Sequence, residues 1–97
     1  MHVCQEHGDA LDFFSYVILF APDFPIEDEM TLDRAFSNMQ HGVDAARSRT
    51  TMADSLRELD LCREELHKAR GLYESGEVLE AEKRLQAARE RFRTSKV

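Results

Sequence analysis

The sequence predicts an all-α protein, a small bundle of three to four helices that ends in a C-terminal antiparallel helical hairpin. Apolar residues recur at spacings of three and four in several segments, as they do on amphipathic helices. Pro22 and Pro25 lie together in a short acidic segment, where they separate helices. A Ser-Gly pair at residues 75–76 provides a tight turn between the last two helical segments.

The length of the chain predicts one domain. Its 97 residues can bury one modest core and are too few for a second. We therefore expect a single helical domain over residues 1–97. Within it, residues 1–8 and 94–97 are expected to be loose ends, and residues 22–30 an acidic linker held extended by its prolines.

The first helix is predicted over residues 10–21, the most apolar stretch of the chain. On a helix its apolar side chains fill one arc of about 180°, with Tyr16 on the opposite side, whereas on a strand both faces would be apolar. Asp9 is the predicted N-cap, and Pro22 ends the helix. The predicted core residues of this helix are Phe13, Phe14, Val17, Ile18 and Phe20.

Three amphipathic helices are predicted to cover this first helix. The second begins after the N-cap Thr31 and continues to a break at residues 48–51, where Thr51 is the predicted cap of the next helix. The third is expected over residues 52–74 and the fourth over residues 77–93. Gly76 supplies the left-handed stop between them, and the short connection requires antiparallel helices.

Residues 65–93 resemble a single tetratricopeptide-type helical hairpin. The resemblance implies two antiparallel helices, and it implies nothing about function because no second copy follows at a period of 34 residues. It depends on a pattern of small, large, glycine and apolar residues, formed by Ala69, Leu72, Gly76, Val78, Ala81, Leu85 and Ala88.

The charge distribution argues against nucleic acid and anionic membranes as partners. The formal net charge is −6, and both of those partners require a basic surface. Residues 1–44 carry nine acidic residues and a single basic one, whereas residues 45–97 carry twelve basic and ten acidic residues. Two interpretations remain open: the acidic front folds against the basic end, or one of them meets a partner.

The cysteines predict free thiols and a cytoplasmic location. Cys4 and Cys62 lie far apart, the first apolar run is too short to cross a bilayer, and no basic region precedes it. His2, Cys4 and His7 have the residue types of a zinc site but supply only three ligands, so a frayed terminus is the default prediction. We predict no metal and no cofactor.

No catalytic motif is present, and the sequence predicts a protein that is not an enzyme. It lacks a glycine-rich phosphate loop, a Gly-x-Ser-x-Gly turn and a His-Glu-x-x-His pair. Cys62 lies in an apolar stripe, where it acts as a small apolar residue. The alternative is a ligand-binding or enzymatic bundle in which His41, His67 and acids of the linker converge from different helices.

The predicted function is a non-catalytic helical module for protein–protein interaction. Leu61, Leu72 and Leu79 lie off the main apolar stripes of the third and fourth helices, and they are the candidate contact residues. They pack together at the tip of the hairpin, contact the aromatic-rich first helix, or join another chain. We expect self-association into a homo-oligomer or an adaptor role, and a small acidic chaperone-like subunit of a heteromeric complex is a further alternative.

Overall fold

The computed structural model describes residues 7–95, which form four α-helices and one short 3-10 helix. All secondary structure in this part of the chain is helical, so the predicted all-α fold is confirmed. The elements in chain order are α1 (His7–Phe20), η1 (Ile26–Asp28), α2 (Leu32–Arg49), α3 (Ala53–Glu74) and α4 (Val78–Ser95).

The four α-helices form a closed, antiparallel ring. Helix α1 packs against α2 and α4, α2 packs against α1 and α3, and α3 and α4 share the largest interface. Ion pairs show the antiparallel direction of α2 and α3, since Arg47 pairs with Asp60 at 3.0 Å and Arg70 pairs with Asp33 at the opposite end. The predicted hairpin is therefore part of an up-down-up-down bundle.

The predicted apolar stripes of α2, α3 and α4 form the core together with one side of α1. Each helix contributes residues at spacings of three and four, which is the periodicity of one helix face. The buried apolar residues are Ala10, Phe14 and Val17 of α1, Ala35, Phe36, Met39, Val43 and Ala46 of α2, Leu59, Cys62, Leu66, Ala69 and Tyr73 of α3, and Ala81, Leu85, Ala88 and Phe92 of α4.

Two predicted helix ends have the expected hydrogen bonds. The hydroxyl oxygen of Thr31 accepts a bond of 3.1 Å from the backbone N–H of Arg34, as an N-cap does. Gly76 has a φ of +85°, and its N–H donates to the carbonyl of Tyr73. The N–H of Glu77 donates to the carbonyl of Leu72, which completes a Schellman turn and reverses the chain into α4.

Other helix ends differ from the prediction. Helix α1 begins at His7, so Asp9 lies within its first turn, where a carboxylate interacts favourably with the helix dipole. Helix α3 begins at Ala53, so its N-cap is Met52 and not Thr51, and the N–H of Met52 donates to the hydroxyl oxygen of Thr50 at 3.2 Å. Helix α4 continues to Ser95. The rest of the predicted loose ends, residues 1–6 and 96–97, lies outside the described residues.

Phe20 is the clearest exception among the predicted core residues of α1. Its side chain is 37% exposed, whereas Phe14 and Val17 are completely buried and Phe13 and Ile18 are half-buried. Phe20 lies at the edge of the apolar arc and at the last position of the helix, and its ring contacts Tyr16.

The linker at residues 22–30 also differs from the extended segment that its prolines predict. It contains η1, and it folds back on Tyr16 of α1. The ring of Tyr16 stacks on Phe24 at a centroid distance of 5.8 Å, and its hydroxyl donates a hydrogen bond of 2.7 Å to Asp28. Tyr16 is therefore half-buried under the linker and does not lie on an open polar face.

Truncation of Phe14 is expected to destabilise the bundle far more than truncation of Phe20. Phe14→Ala leaves a cavity in the core and should lower the free energy of unfolding by about 3–5 kcal/mol, a large part of a total of about 5–15 kcal/mol. Phe20→Ala loses only a partly exposed ring contact and should cost less than about 1.5 kcal/mol.

Urea unfolding followed by far-UV circular dichroism measures both values. Equal costs for the two variants would show that Phe14 is not part of the core.

Candidate functional site

The polar groove between α2 and α3 is the first candidate for a site. Its cavity measures about 410 Å³, and it brings His41 and His67 of the two helices to one place, as the alternative prediction of converging polar groups requires. The groove is lined by Asp33, Phe36, Ser37, Gln40, His41, Asp44, Leu66, His67 and Arg70.

The charged groups of this groove already bind one another. Arg70 pairs with Asp33 and lies 3.7 Å from Glu74, while the amide of Gln40 donates to Asp44 at 3.0 Å. The acidic groups are those of α2 and not the linker acids of the prediction. Among the side chains of residues 8–95, no three His, Cys, Asp or Glu groups are placed to hold a metal ion. The side chains of His2, Cys4 and His7, whose residue types match those of a zinc site, lie outside the described side chains.

Burial keeps the thiol of Cys62 and the hydroxyl of Tyr73 protonated. Burial raises the pKa of Cys62 from 9.0 to about 12, with a smaller contribution from Glu65. Burial likewise raises the pKa of Tyr73 from 10.0 to about 12, with a contribution from Glu82. Because the thiolate is the reactive form of cysteine, Cys62 has the properties of a structural residue.

The second candidate is one end of the bundle, where α1 and α3 end and α2 and α4 begin. We call residues 19–34 and 70–83 the acidic pole. Four of the five exposed large apolar side chains among residues 8–95 belong to it. They are Leu19 at 74% exposure, Phe20 at 37%, Ile26 at 92% and Leu79 at 77%, and the fifth is Met52 at the opposite end.

The acidic pole also carries the net charge of the protein. Its two segments contain nine carboxylates and three basic residues, which gives −6. The rest of residues 7–95 contains nine charged residues of each sign. The apolar and the acidic surface therefore coincide at one end.

Tyr16 holds the linker part of the acidic pole in place. Its ring contacts Phe20 at 5.2 Å and Phe24 at 5.8 Å, and its hydroxyl binds Asp28. Burial, the hydrogen bond to Asp28 and the charges of Asp28 and Glu27 raise the pKa of Tyr16 from 10.0 to about 12. The linker is thus a packed part of the surface that presents Ile26 to solvent.

The three predicted contact leucines are in different environments. Leu72 is partly buried against the core at the end of α3, Leu61 is half-buried, and Leu79 is exposed on the first turn of α4. The structure brings Leu79 to the same end of the bundle as Leu19 and Phe20. The contact role of all three leucines stays a prediction. The pattern signal that could have found Leu19 is its position outside the apolar arc of α1.

The basic end of the chain does not neutralise the acidic pole. Three of the four arginines of α4 bind acids of α3 or α4. Arg91 binds Glu58 at 3.2 Å, Arg84 binds Glu65 at 3.4 Å, and Arg93 binds Glu90. Arg89 reaches α1, where its Nε donates to the hydroxyl of Ser15 at 2.9 Å. The contacts of residues 45–95 with the acidic front therefore include the ion pair of Arg70 with Asp33 and the hydrogen bond of Arg89 with a neutral hydroxyl.

Comparison of the chain with protein families, curated proteins and solved structures found no match. The resemblance to a tetratricopeptide-type hairpin therefore stays a prediction, although the hairpin itself is present. None of the described helices has both the length and the apolar composition needed to cross a membrane.

The stability of the protein is expected to depend on the thiol of Cys62 at alkaline pH. The raised pKa means that the folded state keeps a proton that the unfolded state has lost, so this contribution is complete below pH 9 and is lost as the pH rises toward 12. A full proton difference corresponds to a slope of about 1.4 kcal/mol per pH unit.

Cys62→Ala should therefore lose less stability than the unaltered chain between pH 9 and pH 11, as measured by urea unfolding at each pH. The tyrosines titrate in both proteins and cancel in the difference between the two curves. Parallel curves over this range would contradict the assignment.

Proposed function

We propose that this protein is a non-catalytic helical module that binds another protein chain through the acidic pole. The supporting observation is the concentration of Leu19, Phe20, Ile26 and Leu79 at one end of an otherwise charged bundle. Large exposed apolar groups gathered in one region commonly mark a protein-binding surface, because water contact with them is unfavourable.

The charges of the pole support a protein partner over a polyanion. Nine carboxylates repel the phosphates of nucleic acid and of anionic membranes, so neither is part of the proposal. A cytoplasmic location belongs to the proposal as well, and the free buried thiol of Cys62 supports it.

Self-association and adaptor function are both forms of this proposal. A chaperone-like subunit differs from them because it would occur in a stable heteromeric complex, so its mass in cell extracts would exceed the mass of the purified chain. The groove with His41 and His67 supports ligand binding less well, because Arg70 and Gln40 already satisfy its acids.

Site-specific photo-crosslinking in the cells that naturally produce the protein tests the proposal. A photoreactive phenylalanine replaces Leu79 in the first variant and Met52 in the control variant. Met52 is an exposed apolar residue at the opposite end of the bundle. We expect an adduct of defined mass from position 79 and none from position 52.

A second substitution shows whether that adduct depends on the apolar surface. Leu19→Ser in the chain with the crosslinker at position 79 should reduce the adduct about fivefold or more, since loss of a central apolar contact commonly costs more than about 1 kcal/mol. Equal adducts from positions 79 and 52, or no adduct at all, would contradict the proposal.

A further inference from the structure

We propose that the segment docking at the acidic pole is a cationic amphipathic helix of a different protein. This inference rests on the proposed function, since it takes the acidic pole to be the binding surface. It adds the chemistry of the partner: an apolar stripe that covers Leu19 and Leu79, flanked by lysine or arginine side chains that meet the surrounding carboxylates.

The carboxylates of the pole are only partly neutralised within the chain. Its three basic residues are already in use: Arg70 pairs with Asp33, Lys83 pairs with Glu80 at 3.4 Å, and Arg34 donates to a backbone carbonyl. The acids that have no cation at ion-pair distance among the side chains of residues 8–95 include Asp23, Glu27 and Glu82. These groups are available to a partner of opposite charge.

The shape of the surface suits a helix. A groove of about 500 Å³ runs between α1 and α4, with Ile18 and Leu19 on one wall and Glu82, Gln86 and Arg89 on the other. The guanidinium of Arg89 lies at the far end from the pole and is bound to Ser15. Leu79 lies on the same face of α4 as Glu82, about one turn toward the pole. A helix that docks in this groove and continues past Glu82 would reach Leu79, since residues 79 to 86 of α4 span about 10 Å, or two helical turns.

A second copy of this chain fits the pole less well. In a symmetric dimer the same surface faces itself, which would bring two groups of nine carboxylates together. In a head-to-tail contact the pole would meet the opposite end, where Arg91 and Arg93 already bind Glu58 and Glu90. Within residues 8–95, Arg49 and Arg57 at that end have no carboxylate at ion-pair distance. A foreign cationic helix can place more cations around the pole than these two.

Three synthetic peptides of equal length test the charge and the apolar stripe separately. The first is an 18-residue peptide, about five helical turns, with Leu at helical spacing and Lys elsewhere. The second has Glu in place of every Lys, and the third has Ser in place of every Leu. Titration of the full chain, followed by fluorescence anisotropy, should show binding of the first peptide and at least about tenfold weaker binding of the other two.

Matched variants of the protein locate the binding site. Leu79→Ser and the pair Asp23→Asn with Glu27→Gln should each weaken binding of the Leu/Lys peptide by about tenfold. Met52→Ser and the pair Asp12→Asn with Glu64→Gln change similar residue types away from the pole, so they should leave the affinity for the Leu/Lys peptide unchanged. The substituted side chains are all exposed, so circular dichroism should show the same helix content in every variant.

The outcomes separate this inference from the proposed function. Equal binding of the Glu peptide, equal weakening by the control variants, or a dimer that Leu79→Ser dissociates would overturn the cationic partner. If the cationic partner is overturned in one of these ways but the crosslink at position 79 is still observed, the acidic pole remains a protein-binding surface. Absence of both the crosslink and the peptide binding would overturn both.

Discussion

The contact between Phe14 of α1 and Phe92 of α4 joins the first helix of the bundle to the last. The two rings lie 5.5 Å apart, and both side chains are completely buried. Exposure of the apolar face of α1 to water is unfavourable, because burial of each large apolar side chain contributes about 1.5–3 kcal/mol to the stability of the fold. The closed ring follows from this requirement, since α1 must occupy the space between α2 and α4.

The length of α1 explains why the surface features gather at one end. Helix α1 has 14 residues and α3 has 22, or about 21 Å against about 33 Å. The linker covers part of the difference by packing Phe24 against Tyr16, and it leaves Phe20 and Ile26 exposed. Leu19 is exposed beside them because it lies outside the apolar arc of α1. Arginines of α4 meanwhile bind the acids of α3, so the hairpin is stabilised along its length and the pole keeps its charge.

Much of the fold could be predicted from the sequence because each helix has a periodic apolar face and local end signals such as Thr31 and Gly76. The environment of Phe20, Tyr16 and the candidate leucines could not, since periodicity gives the direction of a side chain and not the neighbour that covers it. The charge divides by sequence into an acidic first half and a mixed second half. The acidic pole becomes visible only when antiparallel packing brings residues 70–83 beside residues 19–34.

Helix α1 packs on α4 of its own chain, and this packing places its exposed end in the acidic pole. Nuclear Overhauser effects between the rings of Phe14 and Phe92 test this claim directly, in an isotopically labelled chain diluted with excess unlabelled chain. The structure predicts a ring–ring signal between labelled residues that is unchanged by dilution. A signal that appears only between labelled and unlabelled copies, or no signal at all, would contradict the account.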